Sequence, residues 1–413
     1  MIGPEEFPLF SQRFEFHSGE NELYFLVKQY KEKEENWIDL TLSNPTKARL
    51  VYPSEAILHS LSKPGGIEYD PNPKGILSAR ETVSLYYRER GLDLLAEDLF
   101  LVSSSSEAYS YLIKLLCDPG DQLLIPSPGY PLFEFVSMMD SVDFDSYQLE
   151  EGSDWKINFS DLESKITSKT KIVFVVSPNN PTGNILSPEE FEKLKALAKK
   201  KKFAIVIDEV FIDYVEDPSL PRIDPSHSDV PIFTVNGISK ILALPQMKLS
   251  WIHVSGQADW KSECKERLEI IADTYLSVGT PIQLALPELF QWRKMIQGQV
   301  QRRIQRNLQI IESQINGMRE TEVAGVPGSQ KDLPKIRIQN PQGGWYSILR
   351  SDLWKEEEEF CLQLLKEEKV LIHSGPMFGF TEGSGFLVLS LILENDVLEE
   401  GLNRLIRFAN RYK

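Results

Sequence analysis

Six short apolar runs, rich in β-branched residues, punctuate the first two thirds of the chain: Phe100–Val102, Leu123–Ile125, Ile172–Val176, Phe203–Ile207, Ile232–Val235 and Trp251–Val254. Helical stretches separate them. Strands without a polar face have nothing to offer water, so they belong in a mostly parallel sheet covered on both sides. One connecting helix is well marked. Ser187 caps it, Pro188 takes its first turn, Glu190 completes a capping box and Lys199 to Lys202 sit at its negative end. Beyond about residue 285 the pattern changes to long polar helices (Pro287 to Asn316, Trp354 to Glu368). Strands around Lys335–Ile338, Gly344–Ile348 and Phe386–Leu391 accompany them. At 413 residues the chain exceeds one ordinary core. The prediction is therefore an α/β fold with a large domain over 44–285. A smaller α+β domain would combine 1–43 with 286–413.

Charge and composition remove several classes of function. The formal net charge is −16, whereas a nucleic-acid partner calls for a basic face. The lysine cluster at Lys199–Lys202 reads as a solvated helix end. Cys117, Cys264 and Cys361 are few and far apart, and the histidines are scattered, so no metal site is expected. The start, MIGPEEFPLF, lacks the basic and apolar segments of a secretory signal. No apolar run approaches the roughly 20 residues that cross a bilayer. These features predict a cytoplasmic protein with reduced thiols and no membrane partner.

Three segments place chemistry where strands would end. They are Asn236–Lys240 (NGISK), Ser177–Gly183 (SPNNPTG) and Ala204–Phe211 (AIVIDEVF). They supply an amine for a Schiff base, an amide for a phenolic oxygen and a carboxylate for a pyridinium nitrogen. Those are the needs of pyridoxal phosphate, whose ring drains electrons from a carbanion. In open α/β sheets ligands lie outside the carboxyl ends of the strands. Asp208, Lys240 and the Ser103–Ser106 turn would all lie there.

With these motifs the chain resembles a class I/II, fold-type I aminotransferase that depends on pyridoxal phosphate, in the pattern of aspartate aminotransferase. The likeness spans nearly the whole length, with 28 positions from Asn180 to Asp208 and 32 from Asp208 to Lys240. It implies that Lys240 holds the cofactor as a Schiff base and shuttles the proton between substrate and cofactor carbons. Asp208 would face the pyridine nitrogen and Asn180 the O3′ oxygen. Ser104, Ser105 and Ser106, with Ser239 and Lys248, would hold the phosphate, where a helix start offers backbone N–H groups. Tyr130 would stack on the ring, and Tyr69 would reach the phosphate of a neighbouring subunit, which implies a homodimer with shared sites. Asn44 falls in the substrate-side segment. The implied substrates are a small amino donor and a 2-oxo acid or related carbonyl acceptor, in amino acid metabolism and biosynthesis.

Four departures stand against that pattern. Phe211 replaces a tyrosine that donates to O3′, so the imine should hold its proton to higher pH. Lys248 replaces the phosphate arginine and loses its bidentate fork. Gly237 replaces a serine, and the cofactor should bind about 1–2 kcal/mol more weakly than with a full clamp. Val388 stands where an arginine holds the substrate α-carboxylate. Either another cation takes over, with Lys47, Arg49 and Arg350 as candidates, or the substrate offers no carboxylate there. Another reaction on the same scaffold, such as C–S β-elimination or decarboxylation, shares these motifs. A non-catalytic effector sensor is the third reading, against which the intact Lys240–Asp208–Asn180 set argues.

Overall fold

The computed structural model describes residues 11, 13, 21–320 (side chains to 315) and 336–412. All six apolar runs become strands of one eight-stranded sheet. Across the sheet lie Leu99–Val102, Ser250–Ser255, Ile232–Gly237, Ala204–Asp208, Thr170–Val176, Gln122–Ser127, Asp143–Glu150 and Lys156–Ile157. The middle four and Asp143–Glu150 pair in parallel, while Ser250–Ser255 runs antiparallel to both its neighbours. The last two strands, absent from the sequence reading, form an edge. There Asp143–Glu150 alternates exposed and covered residues, where the central strands Ala204–Asp208 and Thr170–Val176 are buried at every position but Lys171. Two apolar clusters, one around Phe100, Phe174 and Phe233 and one around Val175, Ile205 and Leu194, include the alternating residues of these strands. Burial on both faces is why these runs carry no polar alternation.

A four-stranded antiparallel sheet follows in the order Arg337–Gln339, Tyr346–Arg350, Phe386–Ser390, His373–Ser374. Ile38–Asp39 pairs in parallel with Val370–Leu371. The helix Glu22–Glu32 buries Leu23, Val27 and Tyr30 in the cluster that also holds Phe360, Leu364 and Leu402. The opening decapeptide and Lys335 lie outside the described residues.

The helix expected over 287–316 is two helices, Thr280–Leu289 and Arg293–Glu320, joined by a tight turn at Phe290–Trp292. Pro281 takes the opening turn of the first of these, where a missing backbone donor is least harmful, and Pro287 lies inside the same helix, which ends two residues later at Leu289. The Pro188–Lys201 helix forms as expected, with the Ser187–Glu190 capping box complete. Lys199 and Lys200 pair with Asp229 and Glu163 at 2.6 and 2.9 Å, which makes this cluster a solvated helix end. Among the described residues no helix is long and apolar enough to cross a membrane, and no cluster of ligating side chains could hold a metal ion. The three cysteines are free.

Candidate active site

Strand direction and register bring the motifs together. Asp208 ends its strand directly beside Val176 on one side and Val235 on the other. The turn carrying Asn180 leaves from Val176, and the turn carrying Lys240 leaves two residues past Val235. Gly237 pairs with Ser250, which in turn pairs with Val102, the residue before the serine run. Ser127, ahead of Tyr130, ends a strand parallel to Thr170–Val176. Five strands thus release their carboxyl ends along one edge, the place an open α/β sheet keeps for a ligand.

Lys240 lies in the short helix Ile238–Ile241. Its Nζ stands 5.3 Å from the ring centre of Trp345 and 5.6 Å from that of Phe211. Tyr214 donates its hydroxyl to the Lys240 carbonyl at 2.6 Å and so fixes the backbone from which the amine projects. Burial pushes the amine's pKa down, and the charge of Asp208 offsets this in part. Asp208 is 4% exposed. Its Oδ1 accepts from the Val210 N–H at 2.9 Å, and its Oδ2 accepts from the Tyr109 hydroxyl. Burial raises this carboxyl from the ordinary 3.8 to about 6, against the pull of Tyr109, Val210 and Lys240. Asn180 is buried, and its Oδ1 has no hydrogen-bond partner. The neighbouring Asn179 shapes the turn instead, donating to Pro128 O and Thr182 Oγ1.

The remaining candidates fall into two groups. Ser104 caps the helix Ser105–Leu116, its hydroxyl accepting from the Glu107 N–H, and Ser105 and Ser106 form its first turn. The Glu107 carboxylate reaches back to the Ser103 N–H at 2.6 Å. Tyr130 is 40% exposed and sits edge-on to Phe133. Burial raises its phenol first, and the charge of Asp208 adds to that. Ser239 is half-buried beside Lys240. The second group is exposed or engaged elsewhere. Lys248 is exposed, Tyr69 is 80% exposed, and Asn44 spends its Oδ1 on Thr46 as the cap of a single turn.

Sequence reasoning missed two contributors. Tyr109 was legible only as a helix residue; its hydroxyl reaches Asp208 across 99 positions of chain. Trp345, fully buried, belongs to the smaller sheet's approach and meets Lys240 only through tertiary packing. Gly237 also gains a reason. A Cβ there would lie 2.1 Å from Ser250 Oγ, so the adjacent strand already fills the space of a side chain.

Comparison with known proteins gives the family. The family model "Aminotransferase class I and II" matches residues 35–405. The glutamate-pyruvate aminotransferase AlaA of Escherichia coli K12 is 24% identical over 404 residues, 94% of this chain and 93% of that protein. The alanine aminotransferase of Mycobacterium tuberculosis H37Rv is 28% identical over 351 residues, 82% of this chain and 78% of that one. Among solved structures, an aminotransferase from E. coli superposes with a TM-score of 0.82 at 24% identity, covering 98% of both chains. The alanine aminotransferase of Pyrococcus furiosus gives 0.81 at 25% identity, covering 97% of this chain and 99% of that one. A family match over so much of the length, on this fold, means that the chain belongs to the class I and II aminotransferases, pyridoxal-phosphate-dependent transaminases.

Proposed function

We propose that the chain moves an amino group from a small amino donor to a 2-oxo acid or related carbonyl acceptor, with Lys240 as the reacting amine. The observation that carries this is the convergence of Lys240, Asp208 and Asn180 at the carboxyl ends of three adjacent strands. The residues fit pyridoxal phosphate. A buried carboxylate and a buried amine are each costly in a dry site unless a polar ligand meets them, and the Asn180 amide, its oxygen unpaired, would give its NH2 to the ring oxygen. Bound there through the Lys240 amine, the cofactor supplies an electron sink for the pair left on the substrate carbon.

The chain's own groups do the rest. Lys240, its proton affinity lowered by burial, would take the proton from the substrate carbon and hand it to the cofactor carbon two bonds away. Asp208, fixed by Tyr109 and Val210, would meet a cationic ring N–H. Asn180 would face the ring oxygen, and Tyr130 would cover the ring. The Ser104–Ser106 helix start would offer N–H groups to phosphate, and Ser239 and the exposed Lys248 are assigned to join it. Tyr69, far too exposed to serve its own subunit, is assigned to a partner copy in a homodimer. The division into a large domain (44–285) and a smaller one (1–43 with 286–413) belongs to the same proposal. It is supported by the separate sheets and by the pairing of Ile38–Asp39 with Val370–Leu371.

Reduction with borohydride in the presence of pyridoxal phosphate, followed by peptide mapping, tests this reading. The label should appear on Lys240, and Lys240→Arg should abolish turnover. A label elsewhere, or a turning-over Arg variant, would overturn it.

A further inference from the structure

The wall beside Lys240 is aromatic and brings no cation, its polar atoms being the unpartnered Trp345 Nε1 and the Tyr346 hydroxyl. Outward from its amine stand Trp345 and Phe211, whose rings lie 5.6 Å apart. Tyr346 follows at 6.2 Å from Phe211, and Phe378 at 6.4 Å from Tyr346. Phe378 packs in one buried cluster with Ile348 and Val388. Val388 is fully buried, with Ile348 and His373 as its strand partners, and its side of the strand, shared with Phe386, faces the cluster that reaches the large sheet. Leu387 and Leu389 turn the other way.

A carboxylate entering here needs a cation, because an unpaired buried charge is among the costliest groups a protein can hold. Each cation nominated from the sequence is engaged or outside. Arg49 pairs with Glu394 at 3.1 Å with its side chain 80% exposed. Arg350 pairs with Glu151 and lies over the Phe386 ring. Lys47 is exposed. Arg303, a further cation that the sequence did not nominate, donates its Nη1 to the Ala48 and Ile392 carbonyls. His373 is held neutral, because burial lowers it to about 4.

From this wall we infer that the preferred amino donor is a primary amine whose reacting carbon bears no carboxylate. The inference rests on the transaminase reading with Lys240 as its amine. The donor loses nitrogen, a proton and an electron pair to the aldehyde carbon of pyridoxal phosphate. It leaves as an aldehyde, its oxygen drawn from water. An aromatic wall takes the alkyl part of such an amine with no charge to compensate, whereas an α-amino acid would carry its carboxylate against a wall that brings no cation.

The test uses the protein reconstituted with pyridoxal phosphate and four matched pairs: alanine and ethylamine, leucine and 3-methylbutylamine, phenylalanine and phenethylamine, glutamate and 4-aminobutyrate. Conversion of the cofactor's absorbance band gives the donor half-reaction. The better amines should exceed their amino acid partners in kcat/KM by about 100-fold, the loss expected for a buried charge without its partner. Propionate should cause no saturable change in the same spectrum. Val388→Arg, if it folds, should make propionate bind and shift preference toward amino acids; the wild-type panel decides the question without it. Amino acids reacting as well as the amines, or saturable propionate binding by the wild type, overturns the inference and leaves the transaminase intact. Failure of both panels while borohydride still labels Lys240 overturns the transaminase reading, and this inference with it.

Discussion

Asp208 shows how one side chain's surroundings set its chemistry. Its folded pKa, about 6, lies above the ordinary 3.8. Between those values the unfolded chain has lost the proton that the folded chain still holds, so stability falls as pH rises through this window and then levels off. In the cofactor-free protein, chemical denaturation should show this fall as about 1 kcal/mol between pH 5 and pH 7.5. Asp208→Asn should remove it. An unchanged pH profile in that variant would mean that the titrating group lies elsewhere. Tyr109 acts on the same carboxyl by donating to it. Tyr109→Phe should raise the Asp208 pKa by about one unit, since a hydrogen bond to a charged group contributes about 1.5–3 kcal/mol. The midpoint of the stability change should move up by that amount.

At the scale of elements, close approach of neighbouring segments explains residues that the family pattern made look anomalous. Gly237 has extended backbone that any residue adopts, so conformation does not demand glycine there. What does is Ser250 on the paired strand, 2.1 Å from where a Cβ would stand. Gly237→Ser should therefore lower stability by about 1–3 kcal/mol as overpacking, and adding Ser250→Gly should recover much of it. Equal losses in the single and double variants would reject this explanation. Gly183 differs, because its φ of +73° already disfavours a side chain and a Cβ would lie 2.2 Å from Pro341. That turn is sewn to the approach of the smaller sheet. Gly343 N donates to Gly183 O at 3.0 Å, and Ile185 N to Gln342 Oε1 at 2.8 Å. Gly183→Ala should both destabilise the protein and displace Asn180, read as weaker cofactor retention.

For the whole molecule, the proposed dimer gives meaning to the most exposed apolar residues. Ile67 and Tyr69 are 93% and 80% exposed on one segment, a costly display for a monomer. Sedimentation should find twice the 47.2 kDa chain. Tyr69→Phe should weaken cofactor retention while leaving the unfolding of the cofactor-free protein nearly unchanged. A monomer with full activity would sink the shared-site proposal.

The sequence by itself determined the sheet, because strands buried on both faces must be written in continuous apolar runs. It also placed Lys240, Asp208 and Asn180, because each motif ends a strand and parallel strands end on one side. The helix Pro188–Lys201 was legible through its cap, which is a local signal. What the chain could not disclose were contacts between segments far apart in it. Tyr109 looks like any buried helix residue until Asp208 is beside it. The edge strands Asp143–Glu150 and Lys156–Ile157 lack the apolar signal because one side faces water. The apolar wall around Val388, and the other partners of Arg49 and Arg350, were decided only by tertiary packing, which alone sets which charges are already spent.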